Sequence, residues 1–326
     1  MIRFGLLGAG RIGQIHGRNI AASPAAKLVL IADPIADAAG RLASATHARI
    51  GEIDEIVGSD EIDAVVICTP TDTHAELIER AAAAGKAIFC EKPVDLSSDR
   101  IRATLARIGD APLMIGFNRR FDPNFASLKH RIEGGDVGDV ELVTILSRDP
   151  APPPVSYIER SGGLFRDMMI HDFDMARFLV GEDFVEVQAV GSALVDPAIG
   201  AAGDVDTAAV LMKTASGKIC QISCSRRATY GYDQRIEVHG SKGLLKAENV
   251  PQTTVVLADA RGVSADPVQN FFLERYARAY EHELNYFIDR LSKGEPMRPS
   301  GTDGLQAGIL ADAATTSATE GRLVRV

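Results

Sequence analysis

The chain has 326 residues, 46% of them apolar and 24% charged, and a net charge of −9. That length and composition fit two globular domains and exclude a disordered chain, and an acidic balance without a block of Lys and Arg argues against nucleic acid as a partner. No run of about 18 apolar residues occurs, so no membrane partner is expected, and Met1-Ile2-Arg3-Phe4-Gly5 leads straight into a strand and a glycine turn without the pattern of a leader.

Residues 2–7 read as a buried strand, 8–13 as a turn and 11–22 as a helix. Further strands are expected at 27–33, 62–69, 87–90 and 113–117, with helices at 74–84 and 98–108. Wholly apolar strands separated by helices imply a parallel sheet covered on both faces. Past Asn118 the texture changes. A helix is expected at 123–133, a strand at 140–148, a stiff proline loop at 150–154 and a helix at 163–180. Strand-like runs follow at 184–194, 207–214, 218–228 and 235–239, then helices at 271–293 and 302–319. Short turns such as Thr214-Ala215-Ser216-Gly217 imply a largely antiparallel sheet.

The expected fold class is therefore α/β. A doubly wound parallel sheet of Rossmann type occupies 1–119. An α+β domain with a largely antiparallel open sheet occupies 120–326, and its last helix, at about 302–319, is expected to return to the first domain. Cys68 and Cys90 lie in apolar strands, and Cys220 and Cys224 share another. Four residues along a strand separate two thiols by roughly 13 Å, too far for a disulfide or a shared metal. Reduced, buried thiols of a cytoplasmic protein are expected.

Gly8-Ala9-Gly10-Arg11-Ile12-Gly13 is a G-x-G-x-x-G between a strand and a helix, the context in which that pattern binds a dinucleotide. Gly8 permits the tight turn, Gly10 lets a pyrophosphate approach, and Gly13 lets helix and strand pack closely. Arg11 and Ile12 open the helix whose N-terminus faces the anion. Asp33, at the end of the second strand, is placed to accept from an adenosine ribose and to repel a ribose phosphate, which favours NAD over NADP. Thr69, Pro70, Thr71 and His74 follow the third strand, at the sheet edge where such folds bind ligands.

Glu91-Lys92-Pro93 closes the fourth strand at the same edge. Lys92 is placed to meet a substrate hydroxyl and to favour a developing alkoxide. Asp167 and His171 stand four residues apart in a helical pattern, on one face, where an Asp fixes the imidazole tautomer. Oxidation of an alcohol needs a base for the hydroxyl proton, a task suited to histidine. A structural ion pair is the alternative for these two residues. No second His stands in ligand register, so no metal is expected.

The run from Gly8 through Glu91-Lys92-Pro93 to Gly163…Asp167-x-x-x-His171 resembles the glucose–fructose oxidoreductase/inositol dehydrogenase family over nearly the whole chain. Thr69-Pro70-Thr71-Asp72-Thr73-His74, Ala87-Ile88-Phe89-Cys90-Glu91-Lys92-Pro93, Gly116-Phe117-Asn118-Arg119-Arg120-Phe121-Asp122-Pro123 and Tyr230-Gly231-Tyr232-Asp233-Gln234-Arg235 look closer still to bacterial inositol 2-dehydrogenases. The resemblance implies two domains, a homotetramer, NAD and a cyclic polyol or sugar as substrate, foremost myo-inositol oxidised to 2-keto-inositol. It also implies a catalytic trio of Lys92, Asp167 and His171. Glu91, Lys92 and Asn118 would serve the cofactor, and Asn118 and Arg119 would line the site. Tyr157, Arg177, Tyr230, Tyr232 and Tyr280 are candidates for the polyol wall. Scyllo-inositol or an aldose such as D- or L-glucose stays open as substrate, and an NAD-dependent glycosidase or a silent sugar sensor stays open as function.

Overall fold

The computed structural model describes all 326 residues except the side chain of Glu159. Two compact units form, Met1–Phe121 with Ala279–Gly308, and Asp122–Arg278 with Ile309–Val326.

The first unit begins β1 (Ile2–Leu7), α1 (Arg11–Ala22), β2 (Ala26–Ala32), α2 (Ala36–Thr46), β3 (Arg49–Ile50), α3 (Ile53–Gly58), β4 (Ala64–Ile67), α4 (His74–Ala83), β5 (Ala87–Glu91), α5 (Ser98–Ile108) and β6 (Leu113–Gly116). Six strands pair in the order β3-β2-β1-β4-β5-β6, all parallel. The order reverses beside β1, the place where such sheets open a crevice for a ligand. The expected doubly wound sheet is present. Between residues 33 and 62 it also contains α2, β3 and α3. Strands β4 and β6 are buried along their whole length, as a sheet covered on both faces requires.

The second unit runs α6 (Pro123–Glu133), β7 (Val140–Arg148), α7 (Val155–Ser161), α8 (Gly163–Asp167), α9 (Ile170–Val180), β8 (Phe184–Ser192), α10 (Pro197–Ala201), β9 (Thr207–Thr214), β10 (Ile219–Ser225), β11 (Asp233–Gly240), β12 (Gly243–Ala247), β13 (Val256–Asp259), β14 (Gly262–Ala265) and α11 (Phe272–Arg275). The chain continues through α12 (Ala277–Lys293) and α13 (Gly301–Glu320) to β15 (Val324–Arg325). Seven strands pair in the order β12-β11-β7-β10-β9-β8-β15. Only β7 and β10 run parallel, so the sheet is largely antiparallel as expected. One face is buried and the other open, which the alternation along β9 records residue by residue.

Two expected helices are broken. The 163–180 pattern divides at Met168-Met169, where Met168 and Met169 both donate to Leu164 O. The 271–293 pattern divides at Tyr276. Cys90, Cys220 and Cys224 are buried and Cys68 is half-buried, all as free thiols. Burial pushes the Cys68, Cys90 and Cys220 thiols up, which suits packing rather than nucleophilic work. Among the described residues, no helix is long and apolar enough to cross a membrane.

The core of the first unit includes residues from far down the chain. Leu284, Phe287 and Ile288 of α12 join Phe4, Leu6, Phe89 and Met114 in one buried cluster. Phe287 sets its ring against Phe4 and edge-on to Phe89. Glycines let the start of α13 approach α5 and β6: a Cβ at Gly301 would meet Leu105 at 2.3 Å and one at Gly304 would meet Val94 at 2.8 Å.

Candidate active site

In the first unit the glycine turn has the shape of an anion cradle. Gly8 takes a left-handed φ of +92°, open to glycine and strained for other residues. A Cβ at Gly13 would fall 2.0 Å from Gly8 O, so only glycine brings α1 this close to the turn. A Cβ at Gly10 would meet nothing within 4 Å, so that space is open. Helix α1 starts at Arg11 and Ile12 with no side-chain cap and no acidic residue in its first turn. Its N–H groups and positive end remain available to an anion. These residues fit the pyrophosphate of a dinucleotide.

Asp33 does more than its spacing suggested. Its Oδ2 accepts from Ala9 N at 2.6 Å and its Oδ1 from Ile35 N at 2.7 Å. The carboxylate therefore braces the glycine turn. Each oxygen keeps a second lone-pair direction, which is what a ribose diol needs.

Thr69, Pro70 and Thr71 lie just past β4, where Thr73 Oγ1 stands 2.7 Å from Thr69 Oγ1 and 2.8 Å from Pro70 O. Here the structure corrects one expectation. The His74 imidazole is not offered to a cofactor. It is 1% exposed, with Nδ1 2.8 Å from Pro93 O and Nε2 2.8 Å from Thr69 O. Burial pushes its pKa down, so the neutral ring donates to one carbonyl at a time. His74 ties the loop after β4 to the loop after β5, a task that sequence position alone does not distinguish from ligand contact.

Glu91 ends β5 with its carboxylate turned inward to His16 Nε2 at 2.7 Å. Lys92 follows it and is half-buried. Asn118 and Arg119, in a short turn beyond β6, are buried at 2% and 4% exposure. Arg120, next in line, pairs with Asp303 at 3.1 Å, and Asp303 is held well below the usual carboxylate range by Arg120 and Ser300 against the cost of its burial.

In the second unit, Asp167 is the last residue of α8 and His171 the second of α9. The turn between them means that they do not share one continuous helix, as the spacing had suggested. Asp167 Oδ1 accepts from Tyr157 Oη at 2.9 Å, and Oδ2 faces Arg226 at 3.3 Å. Arg226 is 1% exposed and its backbone N–H donates to Asp206 O. Sequence reasoning missed Arg226. Its one signal is a charged residue directly after the strand carrying Cys220 and Cys224.

The other wall candidates are dispersed. Arg177 pairs with Asp183 at 2.6 Å beyond the end of α9. Tyr230 donates to Asp233 at 2.5 Å and accepts from Arg148 at 3.0 Å. Tyr232 sets its ring edge-on to Tyr276. Tyr280 belongs to the first unit and packs edge-on to His16. Tyr157 hydrogen-bonds an expected catalytic side chain, Asp167.

Comparison with known proteins agrees with this arrangement. A family model described as an oxidoreductase family with an NAD-binding Rossmann fold matches residues 2–118, and one for the GFO/IDH/MocA C-terminal domain matches residues 125–246. An inositol 2-dehydrogenase from Rhizobium meliloti is 55% identical over 327 residues, covering 100% of this chain and 99% of the relative. A myo-inositol 2-dehydrogenase from Thermotoga maritima is 46% identical, covering 100% of this chain and 98% of the relative. The crystal structure of a myo-inositol dehydrogenase from Corynebacterium glutamicum superposes with a TM-score of 0.97 at 46% identity, covering 100% of this chain and 99% of that one. With family models matching both units and relatives matching along its entire length, the chain belongs to the GFO/IDH/MocA family of NAD-binding oxidoreductases.

Proposed function

We propose that the protein oxidises myo-inositol to 2-keto-inositol with NAD. The observation that carries this reading is end-to-end similarity at 55% identity to an inositol 2-dehydrogenase, joined to an open glycine turn at Gly10. When bound, NAD supplies the acceptor for the hydride that leaves the carbinol carbon. His171 accepts the hydroxyl proton, so one C–H bond and one O–H bond break as the carbonyl forms. Asp167, gripped by Tyr157 and Arg226, orients the imidazole. Lys92 donates to the reacting oxygen and favours its negative charge. The second unit supplies polyol contacts, and the enzyme works in the cytoplasm.

The test is NADH formation, read by its near-ultraviolet absorbance, on myo-inositol, scyllo-inositol, D-glucose and L-glucose. Turnover highest on myo-inositol is expected. Preference for another ring reassigns the substrate. Bound NAD with no net NADH from any of them overturns the dehydrogenase reading in favour of a glycosidase or a sensor.

The cofactor assignment has its own expected result. Asp33→Asn removes the charge and keeps an acceptor for the turn. A hydrogen bond to a charged group contributes about 1.5–3 kcal/mol, so kcat/KM with NAD should fall roughly tenfold or more and the NADP-to-NAD ratio should rise. An unchanged ratio would remove the ribose from Asp33.

A homo-oligomer, a tetramer by family resemblance, completes the proposal. Its support is apolar surface on the open sheet face and the β13–β14 hairpin: Val190, Leu211, Ile219, Val256, Leu257 and Val263 are between 39% and 78% exposed. Light scattering that returned the mass of one chain would overturn it.

A further inference from the structure

Lys92 leaves the sheet between two buried histidines. Pairing of β5 with β4 ends at Cys90, and pairing with β6 ends at Glu91 opposite Gly116. Beyond that point side chains hold the backbone. On one side His16 Nε2–H donates to Glu91 Oε1 at 2.7 Å. On the other, His74 Nδ1 lies 2.8 Å from Pro93 O. The two neighbours of Lys92 are thus tied to different helices, α1 and α4.

The Glu91 tie has little slack. A Cβ at Gly116 would come within 3.0 Å of the Glu91 carboxylate, so the neighbouring strand closes one side. His16 is fully buried, with Phe89 at 4.9 Å and Tyr280 at 5.7 Å between ring centroids. Glu283 of α12 stands behind, 3.9 Å from His16 Nε2, fully buried, with no hydrogen-bond partner on either oxygen. Burial and then the Glu91 charge push its carboxyl up.

One imidazole and two carboxylates are also a cation-binding set. Ligands about 2.0–2.2 Å from one tetrahedral ion stand roughly 3.3 Å apart. The 2.7 Å separation of His16 and Glu91 is that of a hydrogen bond instead.

We infer that His16 is a positioning residue for Lys92, acting through its hydrogen bond to Glu91. The inference rests on the proposed contact between Lys92 and the reacting hydroxyl. An extended residue fixed through its side chain fixes the direction in which the next one leaves. Without His16 the Glu91 peptide can rotate, and the ammonium loses its aim.

The test compares His16→Phe with His16→Gln in the full chain, each with and without Lys92→Ala. Phe keeps a ring between Phe89 and Tyr280 but has no N–H for Glu91. Gln gives up the ring and keeps a donor. Lys92→Ala should itself lower turnover. His16→Phe should lower kcat/KM on myo-inositol by about 10²-fold, the usual cost of a misplaced group, and His16→Gln far less. His16→Phe should add almost nothing to Lys92→Ala, because both act through one ammonium. NADH affinity, read from nicotinamide fluorescence, should hold steady in the His16 variants that keep Lys92. Loss in the Gln variant with the Phe variant intact would mean ring packing and would overturn the inference. So would a Phe effect of equal size with and without Lys92. Near-normal turnover by Lys92→Ala would sink the role of Lys92 itself, and the inference with it. If His16→Phe does not fold, Glu91→Met against Glu91→Gln makes the same contrast from the acceptor side.

Discussion

Replacing His171 with Ala is expected to lower kcat on myo-inositol by about 10²–10⁴-fold, the range that one positioned general base contributes. NADH binding should survive, because the glycine turn and Asp33 belong to the first unit and His171 to the second. The proton acceptor must be unprotonated to act, so the rate of the unaltered enzyme should rise from acid toward alkaline pH and then level off. The variant should lose that rise along with its rate. Steady-state kinetics as a function of pH, with a deuterated substrate to show that hydride transfer limits the rate, is the measurement. A kcat within a factor of about three of the original, small against the range expected of a base, would exclude His171 from proton transfer and leave Asp167, with its Tyr157 and Arg226 partners, as a structural anchor.

The largest expected loss of stability comes from Arg275. Its guanidinium makes a two-pronged ion pair with Asp122, and the two side chains are 3% and 1% exposed. The same guanidinium lies 5.3 Å from the Phe125 ring centroid and 5.0 Å from that of Tyr276. Asp122 also caps α6, accepting from Asn124 N and Phe125 N. Arg275→Met fills similar volume but leaves the carboxylate buried without its cation, which costs about 3–5 kcal/mol. A clear drop in the urea midpoint should follow. Adding Asp122→Asn should recover much of it, since Asn still caps the helix and carries no charge. A midpoint that Arg275→Met leaves in place would show that the two helix N–H groups suffice for Asp122.

Sequence periodicity found the parallel sheet because its strands are mostly apolar, and it found the glycine turn because Gly8 and Gly13 answer to local backbone demands. It ran 163–180 and 271–293 as continuous helices because Met168-Met169 and Tyr276 are ordinary helix formers. What breaks those helices is not a Gly or Pro that a pattern could register. Lys92 and the Asp167/His171 pair stand out in the sequence as candidates on spaced motifs. The work of His16, His74 and Arg226 was not, because each acts on a partner distant in sequence, Glu91, Pro93 and Asp167 respectively. A histidine on the buried side of α1, in line with Gly13 and Ile20, was the one local sign that something polar waited inside. The tyrosines show the opposite failure. Composition gives each an apolar ring and a hydroxyl, and only the fold separates Tyr157, bonded to Asp167, from Tyr232 and Tyr280 packed on other rings.

The cluster joining Phe4, Phe89 and Phe287 orders events during synthesis. The first strands leave the ribosome long before the aromatic ring that closes over them, Phe287, is made. Until then the nascent cofactor-binding unit presents Phe4 and Phe89 to water or to a chaperone. Closing so long a loop costs little more than closing a short one, since the entropy grows only logarithmically with length, but such distant contacts slow folding. A fragment ending at Phe121 would hold the whole parallel sheet and still lack one wall of its core.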